Sequence, residues 1–351
     1  VGYVAKVAAS SYQAGMSGAA FFQSTLFKTF VFLLGTVVLG AIFAPLLYFG
    51  GKHVVAEAWL EGTWLDSIND SMRRAHFSRY FNRAILLGAL LMIWPTLRWL
   101  NVGNQRGVIR PPTGETIRRQ LLLEANPVWW RHLVVGFFLA GGTLLLLGSL
   151  YVALGWYELV ESTKPLPRVL IAALGTGIAV GMLEEFVFRG AFHAVLAKLL
   201  KPKTLFWVIA IFFAVIHFFN APKSLEAEVV SYGSGFWMLG KIVEYFVSQF
   251  ANPHFLFAEF AVLLTIGLVL GYTRMKTGSL WLGIGLHAGW VFGVKTLSPL
   301  TRRAFGPGEM MPWLGDNLRV GAISCLVVSL TGVVLWCWLR KKYGPPFLAL
   351  E

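Results

Sequence analysis

Charge is scarce in this chain. Only 13% of its 351 residues are Asp, Glu, Lys or Arg, about half the ~25% of a soluble domain, and 56% are hydrophobic. A soluble enzyme is thereby excluded, and a membrane protein is what remains. Cysteine is nearly absent: Cys325 and Cys337 share one apolar stretch, so neither a disulfide framework nor a Cys-rich metal site is available. Acid is the scarcer sign, 17 Asp and Glu against 30 Lys and Arg, giving +13. In a soluble chain that excess would suggest nucleic acid, but too little polar surface exists here for a groove, so no nucleic-acid partner is expected. Val1 to Gln23 lacks a compact apolar core and a small-residue cleavage site, so no cleavable signal peptide is expected and the first spanning helix would direct insertion. The missing initiator Met suggests that the sequence starts inside a longer one. No repeat, low-complexity tract or soluble domain stands out.

What is present is a series of long uncharged runs. A hydrocarbon core of roughly 30 Å needs about 20 apolar residues as helix, and eight candidates emerge. They are Phe30 to Gly51, Tyr80 to Leu100, His132 to Leu154, Val169 to Leu196, Thr204 to Phe219, Phe255 to Tyr272, Ser279 to Val294 and Val320 to Leu339. Trp94, Trp99, Trp129, Trp130, Trp156, Trp281 and Trp338 lie near their ends, as interfacial belts do. The expected fold is all-α, a polytopic integral membrane protein with about eight transmembrane helices around a polar cavity. Its organisation reads as a cytoplasmic segment 1–26, three helices with their loops over 27–167, a motif-bearing core of four helices over 168–297, and an outer loop, last helix and basic tail over 298–351. The longest outer loops, about Lys52 to Arg79 and Asn220 to His254, mix Trp, Phe and Leu with charges and read either as amphipathic surface helices or as simple connections.

An even number of spans puts both termini on one side. That side collects sixteen Lys and Arg against three acids, and the opposite loops twelve against eleven. The positive-inside rule then makes the chain N-in and C-in. A bacterial inner membrane is the expected location, ahead of the endoplasmic reticulum.

A few charges remain inside the spans. An ionised side chain at bilayer depth costs several kcal/mol, roughly, unless paired, which makes Glu, Arg and His there candidates for function. The fourth span reads Glu184-Glu185-Phe186-Val187-Phe188-Arg189. On a helix Glu185 and Arg189 are four apart with the acid first, the favourable order for an ion pair, and that pair would serve a structural joint and a catalytic support equally well. Glu184, rotated by about 100°, is left in a poorly solvated position where a carboxylate can act as general base. At about 1.5 Å per residue from the cytoplasmic ends, Glu184 and His217 each lie roughly 21 Å deep, Glu259 lies similarly, and His287 lies roughly 13 Å deep. Glu259 reads equally as an outer-interface residue, and His193 as interfacial. Gly177/Gly181, Gly267/Gly271 and Gly285/Gly289 have the small-xxx-small spacing that allows close helix packing in membranes.

These residues resemble a known family. Glu184-Glu185-Phe186-Val187-Phe188-Arg189 matches an EExxxR motif, Phe213-Ala214-Val215-Ile216-His217 matches FxxxH, and His287 follows in a later span. Together they are similar to the CPBP family of intramembrane proteases, which includes type II CAAX prenyl endopeptidases and bacteriocin-processing or self-immunity proteins. The resemblance implies an all-α fold around a polar cavity and hydrolysis by a glutamate-activated water. By position, Glu184 would be the general base, His217 would hold the water, Glu185 and Arg189 would be the paired support, and His287 would stabilise the oxyanion. The implied partners are the bilayer, a membrane-associated or lipidated peptide substrate, and other membrane subunits. A metalloprotease reading of the same family would put Zn²⁺ on Glu184, His217 and His287; with no HExxH in the sequence, no cofactor is the favoured expectation.

One position departs from the family pattern, which is HxxxN. Here His287-Ala288-Gly289-Trp290-Val291 puts valine, which cannot donate a hydrogen bond, where a polar residue should stand. Either Trp290, Glu259 or a backbone N–H supplies the polar contact, or the chain is an impaired scaffold or accessory subunit. A proton-coupled transporter also fits buried acids, but the sequence lacks detectable halves or broken helices.

Overall fold

The computed structural model describes residues 24–63, 65–100, 126–197, 199–219, 221, 229–315 and 317–343. Its helices are α1 (Thr25–Ala56), α2 (Asp66–Arg73), α3 (Phe77–Trp99), α4 (Trp129–Ala153), α5 (Leu166–Leu196), α6 (Pro202–Ile216), α7 (Ser234–Phe250), α8 (Phe257–Thr277), α9 (Trp281–Leu297) and α10 (Ala322–Tyr343). All eight apolar runs are helical. Six of them, α1, α3, α4, α5, α8 and α10, are long and apolar enough to cross a membrane. The remaining two are shorter: α6 has 15 residues and α9 has 17, fewer than the about 20 that cross a 30 Å core alone. They are sheltered by neighbours. Twelve of the 17 residues of α9 are buried, making it the central helix of the bundle.

Glycine makes that burial possible. A Cβ on Gly177 would stand 2.6 Å from the Ala288 carbonyl oxygen, and one on Gly136 would stand 2.8 Å from that of Leu282. Gly285 and Gly289 lie equally close under the Leu133 and Phe137 carbonyls, so α9 is clamped between α4 and α5 through backbone contacts. Packing of this kind replaces the hydrophobic effect that lipid does not supply between helices. Gly285→Val is therefore expected to lower the melting temperature of the detergent-solubilised protein, the overpacking costing about 1–3 kcal/mol or more; an unchanged melting curve would mean that α4 and α9 part without cost.

The two ends of the bundle are distinct. At one, Lys28 Nζ donates to the Trp99 carbonyl at 3.0 Å, the Trp129 and Trp281 rings lie 5.0 Å apart, and Tyr343 Oη meets His132 Nε2 at 3.4 Å. At the other, Tyr157–Leu159 (β1) pairs antiparallel with Thr301–Arg303 (β2), Tyr157 opposite Arg303. This small ribbon was not expected. It ties the exit of α4 to the exit of α9, and Gly321 N donates to Ala258 O at 3.0 Å close by.

Both outer loops contain a helix. Within the first, α2 is an eight-residue helix whose last turn is held by Lys52, which donates to the Arg73 carbonyl at 2.9 Å. In the second, α7 packs its Gly235 under the Ala41 carbonyl of α1 while Phe236, Trp237, Val243 and Val247 stay exposed. The segments 1–23, 101–125 and 344–351, including most of the expected cytoplasmic N-terminal segment, lie outside the described residues.

Candidate active site

The site begins with a change of helix type. α5 is α-helical to Glu185, π-helical over Phe186–Phe192, and α-helical again from His193. A π-turn widens the coil and is frequent at functional sites. Here it carries Arg189 and follows directly on the two glutamates. The expected ion pair forms: Arg189 Nη1 donates to Glu185 Oε1 at 2.9 Å, both side chains being 1% exposed. Arg189 Nη2 donates to the Gly267 carbonyl of α8 at 3.2 Å, and its guanidinium lies 4.3 Å from the Phe213 ring centroid. Buried on all sides, the cation is balanced by one carboxylate, one carbonyl and one aromatic face.

Glu185 also receives His287, whose Nδ1 lies 3.2 Å from Glu185 Oε1. An imidazole nitrogen facing a carboxylate carries the proton, which fixes Nε2 as the end turned to Glu184. That nitrogen is 3.7 Å from Glu184 Oε2. From α6, His217 Nδ1 donates to the Phe213 carbonyl at 2.7 Å, which aims His217 Nε2 at the same Glu184 oxygen, 3.5 Å away. Among the described residues no hydrogen-bond partner is placed on Glu184 Oε2. At 3.5 and 3.7 Å, a water bonded to Glu184 Oε2 can also come within hydrogen-bond distance of an imidazole Nε2.

These groups line a cavity of about 440 Å³. Phe213, Trp290 and Val291 are in its wall, and its far end reaches Lys295, Ser298, Asn317 and Arg319. Trp290 Nε1 is buried without a hydrogen-bond partner among the described residues. Glu259 is not brought to the site: it sits in the π-helical turn Leu256–Phe260, where its charge interacts with Arg319 and Tyr245. Equal depth on two helices did not place it beside Glu184. Among the described residues no group of three or more His, Cys, Asp and Glu is disposed to hold a metal ion.

A family model, type II CAAX prenyl endopeptidase Rce1-like, matches residues 166–293. Residues 166–293 belong to the CPBP family of membrane proteases. The matched segment begins with α5 and ends within α9, so it holds all five motif residues. No curated protein and no solved structure matches the chain. The family indicates a multi-pass membrane protease.

Two residues of this CPBP core were not foreseen as parts of it. Arg274, counted by sequence as a loop cation, is only 7% exposed; its Nε donates to the Arg189 carbonyl, and its Nη1 meets His193 Nε2 at 2.9 Å. His193, read from the sequence as interfacial, is held to the bundle by that contact. Arg274 thus takes up a carbonyl inside the π-turn and acts as a positioning residue for Arg189. Its position near the end of an apolar run was the only signal, and it pointed to a loop. Arg274→Ala is expected to reduce kcat roughly tenfold or more, on the scale of losing a supporting contact around a site, with Arg274→Lys restoring part of it and KM little changed. Equal losses in the Ala and Lys variants, tracking melting temperature, would reduce Arg274 to a structural role.

Proposed function

We propose that the protein is an intramembrane endopeptidase that hydrolyses a peptide bond of a membrane-associated polypeptide with a water activated by Glu184, without a metal. The observation that carries this reading is the meeting of one Glu184 oxygen with two imidazole Nε2 atoms in the wall of a cavity. Glu184 takes a proton from the water, and the hydroxide attacks the carbonyl carbon. The proton then passes from Glu184 to the leaving nitrogen as the C–N bond breaks, which returns Glu184 to its carboxylate form. His217, whose Nδ1–H is committed to the Phe213 carbonyl, presents Nε2 as an acceptor that orients the water.

His287 has a different task. In a neutral ring with Nδ1–H on Glu185, Nε2 is an acceptor and cannot hold an oxyanion. An imidazolium balances the charges of Glu184, Glu185 and Arg189 and turns Nε2 into a donor. Stabilisation of the tetrahedral intermediate by His287 therefore requires its cationic form, and Glu185 holds the ring in place for it. The protein would lie in a bacterial inner membrane with both termini in the cytoplasm, facing lipid and a membrane-associated or lipidated peptide.

A second reading is favoured by Val291, which lines the cavity where the family has a polar residue: an impaired CPBP-like scaffold within a membrane complex. Purified protein incubated with membrane-anchored peptides decides between them. Glu184-dependent cleavage is expected; stoichiometric co-purification with other subunits and no cleavage would favour the scaffold.

A further inference from the structure

Asn82 stands on α3 beside Phe81, which is 1% exposed, and reaches a residue 139 positions away. Ala221 N donates to Asn82 Oδ1 at 3.0 Å, and Asn82 Nδ2 donates to the Ala221 carbonyl at 3.4 Å. One side-chain amide thus meets both backbone groups of a single residue.

Ala221 needs such a partner. α6 ends at Ile216 with His217 as its cap, and the N–H groups of Phe218 and Phe219 turn back onto the Val215 and Ile216 carbonyls at 3.1 and 3.0 Å. Past that turn the chain has left the helix while Ala221 is still only 6% exposed. Non-helical backbone buried in a membrane protein is tolerated where the protein satisfies its polar groups, and Asn82 does so here. Two ring contacts hold the same turn: Phe219 to Phe246, centroids 4.9 Å apart, and Phe218 to Phe250, 5.7 Å apart.

This hold comes from a different part of the bundle than the rest of the site. α1, α3 and α7 form one block, in which Ala221 packs with Ala41, Phe81, Met238 and Ile242. Glu184 and His287 stand on α5 and α9, in the block clamped by glycines to α4. His217 lies between the two blocks. The middle of α6 is seated on α8, where Gly267 lies against the Ala210 carbonyl, and the end of α6 is tied to the first block by Asn82. The 3.5 Å separation of His217 Nε2 from Glu184 Oε2 is therefore set across the junction. α1 and α3 precede the family-matched segment 166–293.

We infer that Asn82 is a positioning residue for His217, acting through Ala221, so that the helices before the family-matched segment take part in building the active site. The kinetic part of this inference rests on the endopeptidase reading; the hold on the α6 exit does not. A misplacement of about 1 Å caused far from the chemistry can cost about 10²-fold in rate, and Ala221 is four residues from His217.

The test compares Asn82→Ala with Gly88→Ala in the full-length protein. Gly88→Ala strains the same α1–α3 joint, its Cβ falling 2.7 Å from the Thr36 carbonyl, without touching Ala221. Asn82→Ala is expected to lower kcat roughly tenfold or more with KM nearly unchanged, and Asn82→Gln, which keeps both polar groups, to restore part of it. Gly88→Ala is expected to lose melting temperature and keep kcat within about twofold of the parent. In a His217→Ala background Asn82→Ala should have no further effect, since a residue acting through His217 has nothing left to position. Equal factors in both backgrounds, or losses that follow melting temperature alone, would overturn the proposal. Hydrogen exchange of the peptide containing Phe213 to Ala221, read by mass spectrometry, tests the hold directly. Exchange there should quicken about tenfold in Asn82→Ala and not in Gly88→Ala; no change in Asn82→Ala would also overturn the proposal. If Asn82→Ala does not fold, Asn82→Asp, which keeps the acceptor and loses the donor, is read in the same way. Quickened exchange in a protein whose parent shows no Glu184-dependent cleavage would count against the endopeptidase reading and leave the hold on α6 intact.

Discussion

Glu184→Gln is expected to lower turnover of a cleavable membrane peptide by about 10²–10⁴-fold, the range for loss of a general base, while the protein folds and inserts as before. The second half follows from the geometry. Glu184 Oε2 lies 3.5 and 3.7 Å from its two imidazoles and its side chain is 27% exposed, so an amide of the same shape breaks no close ion pair of the kind Glu185 makes. Glu185→Gln gives the contrast. It removes the carboxylate that pairs with Arg189 at 2.9 Å and with His287 at 3.2 Å, leaving a fully buried guanidinium uncompensated. Breaking a buried pair in this way costs about 3–5 kcal/mol. Glu185→Gln should therefore lose melting temperature and yield, and Glu184→Gln should lose activity alone. Paired thermal denaturation and peptide-cleavage assays read both; cleavage by Glu184→Gln within threefold of the parent chain would remove Glu184 from the chemistry.

The residues that sequence made legible are those whose cost in a membrane admits few explanations. Glu184, Glu185, Arg189, His217 and His287 were singled out as intramembrane charges and imidazoles, and all five meet at one place. The glycine pairs were legible for the same reason, since close approach is their use in lipid: Gly177 and Gly181 lie against Ala288, and Gly267 lies against Ala210. Depth along the chain was a weaker guide. It put Glu259 level with Glu184 and His287 some 8 Å off, roughly, at 1.5 Å per residue, whereas His287 is in the site and Glu259 is not. Rise per residue gives no azimuth, and the π-turns at Phe186–Phe192 and Leu256–Phe260 shift the register in ways no apolar pattern reports. Arg274 shows the limit most clearly: four residues before the left-handed Gly278 cap, it reads as a loop cation and is instead a buried clamp. Hydropathy found α6 and α9 but gave no sign that they are the short helices, sheltered by neighbours rather than by length.

The position of Val291 leads to the second large expected effect. A tetrahedral oxyanion needs donors aimed at it, and losing one typically costs about 10²–10³ in rate. Valine supplies none. Trp290, one residue earlier on α9 and three beyond His287, lines the same cavity, and its indole N–H is buried without a partner among the described residues. A buried donor left unpaired costs about 1–3 kcal/mol, and a substrate oxygen in the cavity would relieve that cost. If Trp290 does for this chain what a polar side chain at position 291 does in the family pattern, Trp290→Phe removes the donor while keeping most of the ring's volume. The expected loss is about 10²-fold in kcat with KM nearly unchanged, since the contact is made to the transition state and not to the ground state. Val291→Asn added to Trp290→Phe should recover at least tenfold of it, because residues 290 and 291 flank the His287 face of one helix at i+3 and i+4. An equal loss in the double variant, with both proteins melting like the parent, would show that neither position meets the oxyanion. Wild-type kcat in Trp290→Phe would leave His287 as the principal donor and make Val291 the mark of a slow protease or of a scaffold.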